Sequence, residues 1–76
     1  MRTPYKALRI KMMENDITQR EVARQAGISP STMSARMSGQ RPFDAQEMQS
    51  IAEILDIPPQ EYWQYFFPLH AKKNFK

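Results

Sequence analysis

Apolar residues recur along this chain at intervals of three and four rather than two, which predicts helices and no strand. The clearest set is Met48, Ile51, Ala52 and Leu55, spaced i, i+3, i+4, i+7. It follows Asp44-Ala-Gln-Glu47, a capping box that opens a helix there. Thr18-Gln-Arg-Glu21 predicts a second box, with Ile17 stapling onto Val22 and with Val22, Ala23 and Ala26 buried. Gly27 stops that helix, because glycine accepts positive φ without strain. After Ile28, Ser29-Pro30 supplies an N-cap and a first-turn proline for a helix running to about Ser38, with Gly39 as its stop. Met33 and Met37 form its buried side. Nearer the start, Thr3-Pro4 predicts a cap and first turn, Tyr5, Leu8 and Met12 a buried stripe, and Asn15-Asp16 a left-handed stop. Residues 40–43 read as a loop, and Ile57-Pro58-Pro59 as a break. Residues 59–67 form a last short helix, closed by Pro68. The fold class is therefore all-α, with five short helices.

Size adds one constraint. Seventy-six residues make one domain, expected over 1–68 with a basic tail at 69–76. Cysteine is absent, which excludes a disulfide framework and a thiolate metal site. No run approaches a membrane span, and the charged start is no signal peptide, so the expected location is cytoplasmic.

Charge changes the picture more than size does. Residues 1–43 hold Arg2, Lys6, Arg9, Lys11, Arg20, Arg24, Arg36 and Arg41 against Glu14, Asp16 and Glu21, a balance of +5. Residues 44–71 hold Asp44, Glu47, Glu53, Asp56 and Glu61 with no Lys or Arg, a balance of −5. Such a division suits one face for a polyanion and another turned away from it.

Two short helices joined around a glycine, over about residues 18–38, form a helix-turn-helix. In that unit the second helix can enter the DNA major groove while the first crosses the backbone. On a wheel of about 100° per residue, Ser31 and Ala35 lie opposite Met33 and Met37, flanked by Ser34, Ser38 and Thr32, with Arg36 further round. Small side chains let a helix approach base edges closely, and hydroxyls and a methyl still distinguish bases. The candidate base readers are Ser31, Thr32, Ser34, Ala35 and Arg36. For Arg36 three uses stay open: guanine, phosphate, or a nearby carboxylate. Further candidate phosphate contacts are Thr18, Arg20, Ser29 and Ser38, with Gln40 and Arg41 in the loop after the second helix.

Thr18-Gln19, Glu21-Val22-Ala23, Gly27-Ile28-Ser29, Met33-Ser34 and Gly39 resemble the lambda-repressor-like helix-turn-helix domains, of Cro/CI or XRE type, over roughly residues 5–66. The stretch from Ser34 to Phe43 is similar to small repressors with a serine-arginine-glycine loop there. The resemblance implies a compact five-helix fold that binds operator DNA, usually as a dimer. It also implies a phosphate contact for Gln19 and base reading at Pro30, Ser31 and Ala35. Pro30 and Ala35 depart from the polar residues usual there, Arg36 stands where many relatives have an apolar residue, and Asp16 where glycine is common.

The other features place themselves around this motif. Met12, Met33, Met37 and Met48 fall at core spacing. Tyr62 and Phe66 close the core, which leaves Trp63, Tyr65 and Phe67 as the expected contact of a homodimer. His70 has no neighbouring ligand, so no metal or other cofactor is expected, and no small-molecule effector is evident. There is no paired carboxylate, nucleophile–base pair or phosphate loop, so no enzyme is expected. The expected function is a sequence-specific regulator on double-stranded DNA, a repressor of phage or mobile-element type. With no effector domain after the motif, it would act by occupying its operator. Two alternatives remain: an antitoxin that binds a protein through the aromatic segment, and an interaction module without DNA binding.

Overall fold

The computed structural model describes residues 4–67. Its elements are α1 (Lys6–Glu14), α2 (Gln19–Ala26), α3 (Pro30–Met37), α4 (Ala45–Leu55), a 3-10 turn (Pro59–Glu61) and α5 (Tyr62–Phe66). There is no strand among the described residues. The expected cap at Thr3, the stop at Pro68, His70 and the 69–76 tail lie outside them.

The starts of α2, α3 and α4 follow the caps in the sequence. Thr18 Oγ1 accepts the Glu21 amide at 3.0 Å, Ser29 Oγ the Thr32 amide at 3.2 Å, and an Asp44 carboxylate oxygen the Glu47 amide at 2.8 Å. The box at Asp44 is complete, since the Asp44 amide donates back to Glu47 at 3.0 Å. The box at Thr18 is corrected to half a box. The Glu21 carboxylate does not reach back; it accepts from Arg24 and Gln25 instead. The start of α1 is also corrected. The helix begins at Lys6 after Tyr5, whose φ of 55° is left-handed. That turn leaves the Pro4 carbonyl facing the Arg9 guanidinium at 2.9 Å and the Tyr5 ring against Phe43.

The ends of four helices share one device. Asp16, Gly27, Gly39 and Asp56 all take positive φ. The residue after each donates its amide five positions back: Ile17 to Met12, Ile28 to Ala23, Gln40 to Ala35, and Ile57 to Ala52. The first three add the shorter bond from the left-handed residue itself, to Met13, Arg24 and Arg36 respectively. This is the Schellman arrangement, which satisfies the last carbonyls of a helix. Three of the four exits then place an isoleucine into or against the core: Ile17, Ile28 and Ile57.

The core is Leu8 and Met12 from α1, Val22 and Ala23 from α2, Met33 and Met37 from α3, and Ile51, Ala52 and Leu55 from α4, closed by Ile28, Phe43, Ile57 and Phe66. Met48 is only partly buried beside it. α2 packs on both α3 and α4, and α1 and α4 meet α5. Four rings run edge to face, Tyr5 to Phe43 at 5.2 Å, Phe43 to Phe66 at 5.6 Å, and Phe66 to Tyr62 at 5.7 Å. Such edge-on pairs are the favoured aromatic geometry. Burial among them raises the Tyr5 hydroxyl pKa. The expected single helix over 59–67 is split. Pro58 and Pro59 lack amide donors, so the first turn closes by a Glu61-to-Pro58 bond of 2.9 Å before α5 begins.

Candidate nucleic-acid interface

The turn between α2 and α3 is three residues, Gly27, Ile28 and Ser29. Gly27 at φ 74° turns the chain, Ile28 is buried, and Ser29 caps the next helix. Met33 and Met37, each 1% exposed, bury one side of α3. The other side is left to solvent: Ser31 and Ser34 are exposed and Ala35 is half-buried. Ser31 and Ser34 make no side-chain hydrogen bond among the described residues, so both hydroxyls can donate and accept.

The other hydroxyls are partly engaged. Ser29 Oγ donates to Thr32 Oγ1 at 2.9 Å while accepting the Thr32 amide, so it has little left for a phosphate. Thr32 is half-buried but keeps its own hydroxyl hydrogen. Thr18 Oγ1 accepts within the cap and likewise keeps its hydrogen. Ser38 Oγ donates to the Ala35 carbonyl at 3.0 Å, which satisfies the helix end.

Arg36 requires a correction to the expected base readers. Its Nε donates to Glu47 Oε1 at 2.9 Å and its Nη2 to Glu47 Oε2 at 3.1 Å. The two side chains are 17% and 14% exposed. Of the three uses open for Arg36, the structure shows the carboxylate. A guanidinium fork matches a carboxylate in plane, and such paired bonds are the strong ones. The fork lowers the Glu47 carboxyl pKa, and the Asp44 amide lowers it further. It raises the Arg36 guanidinium pKa in turn.

Two more cations of the basic half are turned inward or paired. Arg9 Nη2 donates to the Met37 carbonyl at 2.9 Å, capping the end of α3 from α1. Arg24 lies on Glu21 along α2, and this bond, with one from Gln25, holds the Glu21 carboxyl at about 2. Lys6, Lys11, Arg20 and Arg41 have no carboxylate in ion-pair reach among the described residues. Arg20 follows the half-buried Gln19 in the first turn of α2, and Arg41 and Gln40 are exposed in the loop after α3. Phe43, buried between Tyr5 and Phe66, ties that loop to the core.

Glu47, Arg9 and Phe43 are the residues that sequence reasoning missed here. The first had a signal: an arginine at a site expected to be apolar, with a carboxylate in the first turn of the next helix. The Arg9–Met37 bond joins residues 28 positions apart and had none. At the acidic end, Trp63 and Phe67 are 48% and 41% exposed. Tyr65 corrects the expected surplus, because it is half-buried and packs on the core.

No cluster of three or more His, Cys, Asp or Glu among the described residues could hold a metal ion. No helix among them is long and apolar enough to cross a membrane.

A three-residue turn that presents the small-residue side of α3 to solvent defines a helix-turn-helix protein. The family model for helix-turn-helix domains matches residues 6–62, and the chain belongs to that family, in its lambda-repressor-like form. It is a DNA-binding regulator. No curated protein matches the chain.

Proposed function

We propose that this regulator is a repressor of the phage or mobile-element type, which acts by occupying an operator in double-stranded DNA. The observation that carries the reading is the division of α3: Met33 and Met37 inward, Ser31 and Ser34 outward. Set into the major groove, Ser31, Ser34 and Thr32 offer hydroxyls to base edges, and Ala35 a methyl to thymine. Gln19 and Thr18 at the start of α2, with Arg20, Gln40 and Arg41 beside the groove, hold phosphates. Arg36 has no place among these contacts while Glu47 holds it. Ser29 and Ser38 act first as helix-end groups.

One α3 spans a half-site, and its small side chains make few strong base contacts. Two copies on a two-fold axis read half-sites about 10 base pairs apart. The proposed pairing surface is Trp63 and Phe67 on the acidic side, with Tyr65 supporting them from the core. A toxin or other protein partner on the same aromatics is the competing reading. Selection of bound sites from a random DNA pool tests the proposal. An enriched inverted repeat is the expected result; no enrichment, with no affinity for any duplex at moderate salt, refutes it.

A further inference from the structure

We propose that Arg36 is a positioning residue: its fork onto Glu47 sets the angle of α3, and with it the fit of α3 in the groove, without touching DNA. The inference rests on α3 being the reading helix, as proposed above. The N-terminal end of α3 is fixed through the short turn to α2, its principal helix partner. Contact between α3 and α4 is slight. The C-terminal end, whose Met37 is buried in the core, is tied down further by two guanidinium groups. Arg9 from α1 binds the Met37 carbonyl, and Arg36 reaches to Glu47 in the first turn of α4. Glu47 is itself held, since its Oε1 also accepts the Asp44 amide at 3.0 Å. The fork therefore joins α3 to a rigid cap rather than to a free side chain. Both side chains are mostly buried, so solvent and salt screen the pair little. A reading helix tolerates little misplacement before its contacts are lost, and its supporting groups decide that placement.

The test uses the full chain and two duplexes, the site selected by the parent protein and a scrambled copy, titrated by fluorescence anisotropy. Circular dichroism fixes a temperature at which every variant is folded. The variants are Arg36→Met, Arg36→Lys, Glu47→Gln, and Arg36→Met with Glu47→Gln. Glutamine keeps an oxygen for the Asp44 amide, so the cap survives while the charge goes. Each single change is expected to weaken binding to the selected site about tenfold, and the double to weaken it no further, as for coupled neighbours. Arg36→Lys falls with Arg36→Met, because an ammonium cannot make the planar fork. Affinity for the scrambled duplex and the salt slope stay at parent values. A change in folding alone would lower both affinities together.

Three results overturn the proposal. Tighter binding by Glu47→Gln would mean that a released Arg36 reaches DNA. A salt slope flattened by about 0.9 in Arg36→Met would make it a phosphate contact. Parent-like discrimination in all four variants would leave the pair without a role. A parent protein that selects no site refutes the underlying reading as well, and separates that failure from the others.

Discussion

Replacing Gly27 with alanine isolates the cost of one backbone conformation. Gly27 sits at φ 74°, and a Cβ built there meets nothing within 4 Å. No neighbour has to move, so the penalty is confined to the left-handed conformation, about 1–2 kcal/mol for an L-residue. Alanine also restricts the unfolded chain, which offsets about 0.4–1 kcal/mol. The net expected loss is about 1 kcal/mol, or a drop in Tm of about 4–8 °C for a domain of this size. The converse change is Asp56→Gly. Asp56 ends α4 at φ 60°, in the same role as Gly27. Relief there is smaller, since aspartate tolerates this region better than alanine, and stability is expected to rise by a few tenths to about 1 kcal/mol. Thermal and urea melts followed at 222 nm read both. DNA affinity below the melt should match the parent for both variants, because the bonds from Gly27 and Ile28 to Arg24 and Ala23 are kept. A Gly27→Ala protein as stable as the parent, or an Asp56→Gly protein that is less stable, would refute the assignment of these exits to backbone strain.

Four further outcomes are expected. Arg41→Ala should reduce the log–log salt slope of DNA binding by about 0.9, while Gln19→Ala lowers affinity at constant slope; an unchanged slope and affinity for Arg41→Ala would remove it from the interface. Ala35→Gln and Ser31→Ala should change the bases recovered in site selection, each contact being worth about 1–3 kcal/mol; identical sites from both would mean that α3 is not the reader. Phe43→Ala removes the ring between Tyr5 and Phe66 and should cost about 3–5 kcal/mol in a denaturant melt. The Glu21 carboxyl is held at about 2 and that of Glu47 below its ordinary 4.5. The unfolded chain therefore takes up protons first as pH falls below about 4.5, and stability present above that value is lost toward pH 2. Glu47→Gln should flatten this acid loss more than Glu21→Gln, whose exposed pair is screened by solvent.

What could be read from the sequence was local. Caps at Thr18, Ser29 and Asp44 and stops at Gly27 and Gly39 act within one helical turn, and each stands where its residue type predicts. The core face followed from spacing, with Leu8, Met12, Val22, Met33, Met37, Ile51 and Leu55 all buried. The left-handed stop expected at Asn15-Asp16 falls on Asp16, whereas the exit at Asp56 went unread, because aspartate there is less diagnostic than glycine. The failures are choices between rival partners or rival local conformations. Whether Arg36 faces DNA or Glu47, and whether Glu21 reaches its own cap or Arg24, is a competition between partners that spacing does not rank. The start of α1 falls later than Thr3-Pro4 predicts because Pro4 suits a first helical turn as well as it suits the turn into Tyr5.

These competitions alter what the charge of the basic half means. Eight cations precede residue 44, and by count alone they predict a strongly salt-dependent binder. Arg9, Arg24 and Arg36 are committed to the Met37 carbonyl, Glu21 and Glu47. Only a cation that neutralises a phosphate releases a counterion, so these three add nothing to the slope while their bonds hold. Arg20 and Arg41 remain beside the helix-turn-helix among the described residues, with Lys6 and Lys11 on α1. If α3 is the reading helix, as proposed, weak attraction to phosphate makes binding depend more on how closely it meets the bases, because serines and an alanine would read only at close range. Two of those three also hold the end of that helix, Arg9 from one side and Arg36 from the other. On the reading proposed above, charge that would have held any DNA sequence is spent instead on placing the helix that would distinguish one sequence from another.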